Sequence, residues 1–169
     1  MLQEIQQAMT WIVYYGKRRG SRGIYLMGHS GGAHLAAMFI SSSWMTQEKY
    51  SHYLKGIALV SGLYDVTALT NVAVKPKLKD DLLRNSPLEH VESAAKNLGS
   101  AIKVLVAVAE FDLPGFKEQG KKYEEELSKR NVLTKFIVIP KFDHFSIIEN
   151  LSKTNYILTQ EIMEIIFIK

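Results

Sequence analysis

The sequence predicts an α/β fold, a mainly parallel sheet of about four strands flanked by helices, in a single domain over residues 1–169. Three observations predict it. Apolar stretches of strand length alternate with helical stretches along the chain, which implies βαβ units with right-handed crossovers. Residues 102–109 (IKVLVAVA) form a near-continuous apolar run of the kind found in strands buried on both faces. Gly28-His29-Ser30-Gly31-Gly32 joins a β-leaning run, Ile24-Tyr25-Leu26-Met27, to the helix-forming run Ala33-His34-Leu35-Ala36-Ala37-Met38-Phe39-Ile40.

Taken in order, Leu2, Ile5, Met9, Ile12 and Val13 recur at helical spacing and predict a helix over 2–15, stopped by Gly16. A basic connection (Lys17, Arg18, Arg19, Arg22) leads to a strand at 23–27, the small-residue turn, and a helix to about Ser42. Residues 54–61 (LKGIALVS) predict a second strand ended by Gly62. The stretch 62–100 is mixed, with short helical pieces and Pro76 and Pro87 as punctuation, and exceeds what a tight connection needs. Two readings of it stand side by side: a cap-like helical segment over a pocket, or ordinary helical packing. After the strand at 102–109 come a polar helix over 116–130, with Tyr123 and Leu127 on one side, and a strand at 134–139 ended by Pro140. A loop at 142–145 precedes a closing helix marked by Leu158, Ile162, Ile165 and Ile166.

Bulk composition narrows the classes. A chain of 169 residues is long enough for one domain with a real core but not for two comfortable domains, and 47% hydrophobic with 22% charged residues is ordinary for a globular domain. The net charge of +4 is concentrated in one short basic connection. Nucleic-acid binding would call for a longer stripe or a known module, so the cluster reads as a solvated loop. With no cysteine, disulfides and thiolate metal sites are excluded, which fits a reducing compartment. Glu4 and the amphipathic spacing of the first residues do not resemble a secretory leader, and no apolar run is long enough to span a bilayer. A cytoplasmic protein without membrane or nucleic-acid partners is the expectation.

The chemistry centres on the small-residue turn. Strand, G-x-S-x-G, helix is the context of a nucleophile elbow, in which a sharp bend exposes a serine hydroxyl and the next backbone N–H faces a developing oxyanion. Crowding there favours small residues, so Ser30 becomes the candidate nucleophile and Gly31 N–H the oxyanion donor. By composition alone the pattern arises in roughly one chain in twenty of this length, so it needs partners. A serine needs a base, and the base needs an acid to hold its tautomer. Of the five histidines, only His144 follows the last strand in a loop, where the order Ser…Asp…His expects a base. His29 adjoins Ser30 but is directed away from its hydroxyl, His34 lies on the following helix, and His52 and His90 occupy polar or mixed stretches. Asp112 stands just past the 102–109 strand; Asp65, after the 54–61 strand, is its rival, and Asp143 adjoins the base too closely to orient it. Active groups in parallel sheets gather at carboxyl strand ends, which favours Ser30, Asp112 and His144. There is no H-E-x-x-H, no Walker A and no dinucleotide glycine pattern, and His29 and His34 do not share a helix face. Neither metal nor cofactor is expected.

Several segments together resemble kynurenine formamidase (arylformamidase), of the α/β-hydrolase superfamily. They are Ile24–Ile40 (IYLMGHSGGAHLAAMFI), Val60–Val66 (VSGLYDV), Arg84–Pro87 (RNSP), Glu110–Asp112 and Asp143–Leu151 (DHFSIIENL). GHS-x-G-AHLA and DHF-x-I-x-EN are far more specific than G-x-S-x-G. The resemblance implies a triad at Ser30, Asp112 and His144, hydrolysis of N-formyl-L-kynurenine to kynurenine and formate, no cofactor and a cytosolic setting. It also implies an H-G-G oxyanion loop well upstream of the elbow, and the 27 residues before Gly28 hold none. The expectation is therefore a partial α/β-hydrolase fold, N-terminally truncated with the early strands missing. Loss of one oxyanion donor costs roughly 10²–10³ in rate. The elbow strand becomes an exposed edge prone to pairing, so a homodimer is among the expectations. Two alternatives stay open, a small-acyl carboxylesterase of the same superfamily and a catalytically silent chain that acts by association. No substrate-contact residue is assignable from the sequence.

Overall fold

Burial alternates with the pleat, and that alternation builds two cores on one sheet. The computed structural model describes residues 1–47, 50, 52–69 and 76–167. Strands β1 (Ile24–His29), β2 (Leu54–Val60), β3 (Lys103–Ala109) and β4 (Thr134–Ile139) lie in the order β1-β2-β3-β4, each parallel to its neighbour. Helix α1 (Leu2–Arg18) precedes β1 and α2 (Gly31–Ile40) follows it. Helices α3 (Pro76–Arg84) and α4 (Val91–Leu98) fall between β2 and β3, and α5 (Pro114–Ser128) joins β3 to β4. The short α6 (Ser146–Glu149) and α7 (Ile157–Phe167) come last.

Successive strand residues face opposite sides of a sheet. Ile57 and Leu59 of β2 with Val104 and Val106 of β3 share a core with Phe39 and Ile40 of α2, Ala94 and Leu98 of α4, and Tyr123 and Leu127 of α5. Ala58 and Val60 with Leu105, Ala107 and Ala109 join the other core, against Ile147 of α6, Leu158 of α7 and Tyr156, which precedes α7. This explains the continuous apolar run of β3, since both its faces are covered, while the edge strands β1 and β4 are only partly buried. Each fully buried Leu, Ile or Val contributes about 1.5–3 kcal/mol, so the two central strands carry most of the sheet's stability.

Several boundaries differ from the sequence expectation for identifiable reasons. Helix α1 continues through Gly16 to Arg18. One interior glycine costs only about 1 kcal/mol, and Lys17 and Arg18 suit the negative end of the helix dipole. Helix α5 starts at Pro114, two residues before Phe116, because proline lacks only an amide that the first turn leaves unpaired. Strand β1 runs on to His29, so the elbow serine follows the ladder directly. Within 62–100, residues 70–75 lie outside the described residues. Val91, Ala94, Ala95 and Leu98 of α4 belong to the buried core, whereas the described side chains of α3 are exposed or half-buried. No helix among the described residues is long and apolar enough to cross a membrane.

Tyr64 and Tyr123 stack with ring centroids 4.4 Å apart, fully buried. Neither hydroxyl has a hydrogen-bond partner among the described residues, and burial pushes both phenols well above their ordinary range. A buried unsatisfied hydroxyl costs about 1–3 kcal/mol. Tyr123→Phe is therefore expected to leave thermal stability unchanged or raise it by up to about 1 kcal/mol. A loss on that scale in a melting experiment would mean that the hydroxyl is satisfied after all.

Candidate active site

A parallel sheet puts all four carboxyl ends on one edge, and each strand delivers one polar residue there. Ser30 follows β1 with φ 54° and ψ −120°, a backbone conformation that L-residues rarely adopt. Such strain costs on the order of 1–3 kcal/mol and persists only where the surroundings enforce it. Here the Ser30 amide donates to Val60 O at 2.9 Å, extending the ladder by one residue, while Ala33 and His34 amides donate to Ser30 O at 3.0 and 3.1 Å. Helix α2 thus starts directly over the strand end. A Cβ on Gly28 would sit 2.3 Å from Gly32 O and 2.7 Å from Ala33 N, so that position must be glycine. A Cβ on Gly32 would meet nothing within 4 Å. The crowding expected on both sides of the serine exists on one side only.

Asp112 follows β3 and is buried, its carboxylate wholly out of solvent. Oδ2 accepts from the Ala109 amide at 2.8 Å and from Ser61 Oγ at 2.6 Å, and Oδ1 lies 2.7 Å from His144 Nδ1. An ionised carboxylate can only accept, so His144 Nδ1 carries the proton. Nε2 is then an acceptor, and Ser30 Oγ donates to it at 2.9 Å. Ser61, directly after β2, is fully buried and also has a positive φ of 47°. Ser30, Ser61, Asp112 and His144 thus form one hydrogen-bonded series across the ends of β1, β2, β3 and β4.

The His144 loop is held by bonds to the end of β3 and by bonds within itself. Lys141, with φ 70°, donates its amide to Glu110 Oε2 at 2.6 Å, and the Phe111 amide donates to Phe142 O at 3.0 Å. Asp143 Oδ1 accepts from the Phe145 and Ser146 amides and the Ser146 hydroxyl, which hold its carboxyl below the usual carboxylate range. The His144 ring is 21% exposed and sits among His29, Phe116 and Phe145, with centroids 4.9, 4.7 and 5.3 Å away.

The other candidates lie elsewhere. Asp65 accepts the Thr67 amide at 3.0 Å and so closes a local turn, and Asp143 accepts the Ser146 amide at 2.8 Å within its own loop. His34 Nε2 meets Asn85 O at 2.7 Å, His90 Nε2 meets Arg84 O at 2.8 Å, and the His52 ring packs edge-on against Tyr53. Ser61, which supports Asp112, escaped the sequence reading, and His29, set aside there as a base, has its Nε2 2.7 Å from His144 O. Ser61 closes its strand's apolar run, so the strand-end rule that selects the others could have found it. Among the described residues no group of three or more His, Asp or Glu side chains is arranged to hold a metal ion.

Fold and site define a class, and comparison with known proteins agrees. A family described as having an alpha/beta hydrolase fold matches residues 1–147, and the chain belongs to it. Among curated relatives, kynurenine formamidase of Danio rerio is 41% identical over 147 residues, covering 85% of this chain and 50% of that protein. The Salmo salar protein of the same name is 40% identical over 146 residues, covering 84% of this chain and 49% of that one. The chain therefore spans about half the length of the curated relatives it matches. Among solved structures, Thermogutta terrifontis esterase 2 phosphonylated by sarin superposes with TM-score 0.68 at 15% identity, over 98% of this chain and 66% of that one. A hyperthermophilic esterase from Pyrobaculum calidifontis superposes with TM-score 0.62 at 18% identity, over 97% and 59%. These structural likenesses carry the fold alone.

The asymmetry of the elbow is testable. Gly28→Ala forces its Cβ into backbone and is expected to cost about 2 kcal/mol or more. Gly32→Ala, in open space at the start of α2, is expected to gain about 0.5–1 kcal/mol. Thermal unfolding followed by circular dichroism distinguishes the two, and equal effects would contradict the one-sided packing of the elbow.

Proposed function

We propose that this chain carries the catalytic half of an arylformamidase, hydrolysing N-formyl-L-kynurenine to kynurenine and formate, with Ser30 as nucleophile, His144 as base and Asp112 as its acid partner. The observation that carries the reading is the series Ser30 Oγ to His144 Nε2 at 2.9 Å and His144 Nδ1 to Asp112 Oδ1 at 2.7 Å. The name of the relatives at 40–41% identity supports the substrate. Exposed Phe111, Leu113 and Phe145 flank Asp112 and His144 in sequence and offer apolar surface suited to an aryl group.

In this mechanism His144 Nε2 takes the Ser30 proton as Oγ attacks the formyl carbon. The Gly31 amide heads α2, where helix geometry provides no intrahelical acceptor, and it receives the oxyanion. The carbon–nitrogen bond then breaks, and His144 returns the proton to the departing arylamine. A water, deprotonated by His144, attacks the formyl-Ser30 ester and releases formate and the free serine. Asp112, satisfied by Ser61 and Ala109 on its other oxygen, stabilises the transient imidazolium without taking the proton. An arylamine leaves more readily than an alkylamine, so the site need not meet the demands of peptide cleavage. The small-molecule substrate is the partner proposed, in a cytoplasmic setting.

The test is turnover of N-formyl-L-kynurenine by the purified chain beside Ser30→Ala and Asp112→Asn. Ser30→Ala is expected to lose at least roughly 10³-fold and Asp112→Asn roughly 10⁴-fold in kcat. Faster Ser30-dependent turnover of p-nitrophenyl acetate than of the formamide would shift the reading to a small-acyl esterase. Folded chain that turns over neither would be the silent alternative.

A further inference from the structure

We infer that His29 is a positioning residue that straps the His144 loop to the nucleophile-bearing strand. The proposal rests on His144 being the base of the proposed reaction. Strands β1 and β4 are the two edges of the sheet, so the residues that follow them start three inter-strand spacings of about 4.8 Å apart. Yet Ser30 and His144 must meet within one hydrogen bond. The other anchors of the loop pull to the wrong side. Lys141 is bonded to Glu110 and Phe142 to Phe111, both at the end of β3, and Asp143 closes on Ser146 within the loop itself. Among the described residues, the backbone of this loop is held toward β1 by the hydrogen bond from His29 Nε2 to His144 O at 2.7 Å.

The chemistry of that bond is unambiguous. A carbonyl oxygen only accepts, so His29 Nε2 bears the hydrogen, and both the Nε2–H tautomer and the imidazolium can donate it. His29 is the residue before Ser30, so the strap is anchored one peptide from the nucleophile. Any shift of the elbow therefore carries the His144 main chain with it. His144 is then fixed at three points: Nδ1 on Asp112, Nε2 on Ser30 and its carbonyl on His29. The tilted packing of the two imidazoles, 4.9 Å between centroids, limits the ring further. Ser30 supplies the reacting atom, and His29 sets how well the base meets it.

Three substitutions separate reach from polarity. Gln carries its amide nitrogen as many bonds from Cβ as the imidazole Nε2, Asn falls one bond short, and Met has the length without a donor. His29→Gln is expected to keep kcat within a few-fold. His29→Asn and His29→Met are expected to lose roughly 10- to 100-fold in kcat at nearly unchanged KM, as an ångström-scale misplacement of a catalytic group does. A second readout needs no substrate: the low-field NMR resonance of the proton between His144 Nδ1 and Asp112, which should persist in the parent and in His29→Gln and broaden or vanish in His29→Asn and His29→Met. If one of the latter two does not fold, the other decides. Retained resonance and kcat in both His29→Asn and His29→Met would overturn the proposal, as would a parent chain that lacks the resonance. The expected resonance pattern in a chain that does not hydrolyse the formamide would sustain the strap and overturn the formamidase reading instead.

Discussion

The interaction on which the site depends is the satisfaction of one buried carboxylate. Asp112 lies wholly out of solvent, and an ion that leaves water without partners is penalised by several kcal/mol. Its three partners come from three strand ends: Ser61 after β2, the Ala109 amide at the end of β3 and His144 after β4. None of them neighbours another in sequence. The carboxylate is therefore stable only when β2, β3 and β4 are paired in the observed order and register. Satisfying it also assigns the His144 tautomer, which leaves Nε2 free to accept from Ser30. Stability of the sheet edge and readiness of the candidate base are thus the same set of hydrogen bonds.

The parallel ladder also holds the strained residues. Ser30 and Ser61 stand at equivalent positions, one past the ends of neighbouring strands, and both have positive φ. In each case the amide is caught by the next strand: Ser30 N on Val60 O at 2.9 Å, Ser61 N on Ala107 O at 2.8 Å. The ladder runs one residue beyond the extended backbone and turns each serine side chain toward the Asp112–His144 pair. Glycine at 28 lets α2 begin over the end of β1, which brings the amides at the head of that helix beside the Ser30 hydroxyl. A strained turn, a helix start and a close glycine are three parts of one packing solution.

Much of this was legible in the sequence because it rests on local patterns. The apolar run of β3 follows from burial on both faces, and the alternation of strands and helices follows from the need to cover them. Asp112 and Asp65 both follow an apolar strand run, and the structure separates them: Asp112 meets His144, whereas Asp65 closes a local turn. Other features were not legible. Gly16 reads as a stop, but one interior glycine is a small penalty and Lys17 and Arg18 suit the negative end of the helix dipole, so α1 runs past it. Gly28 and Gly32 look alike in the motif, and only the path of α2 makes one of them obligatory.

The amino-acid order by itself determined the α/β class, four strand cores and the polar residues that can stand at their ends, since period, apolar content and small-residue turns are properties of neighbours in the chain. Which of those polar residues meet was decided by the tertiary structure. The order β1-β2-β3-β4 puts Ser61 under Asp112 and leaves Ser30 and His144 to converge from opposite edges, with His29 bridging the gap. Those contacts span 51, 114 and 115 positions of sequence, and hydrogen bonds across such separations exist only after the sheet has formed.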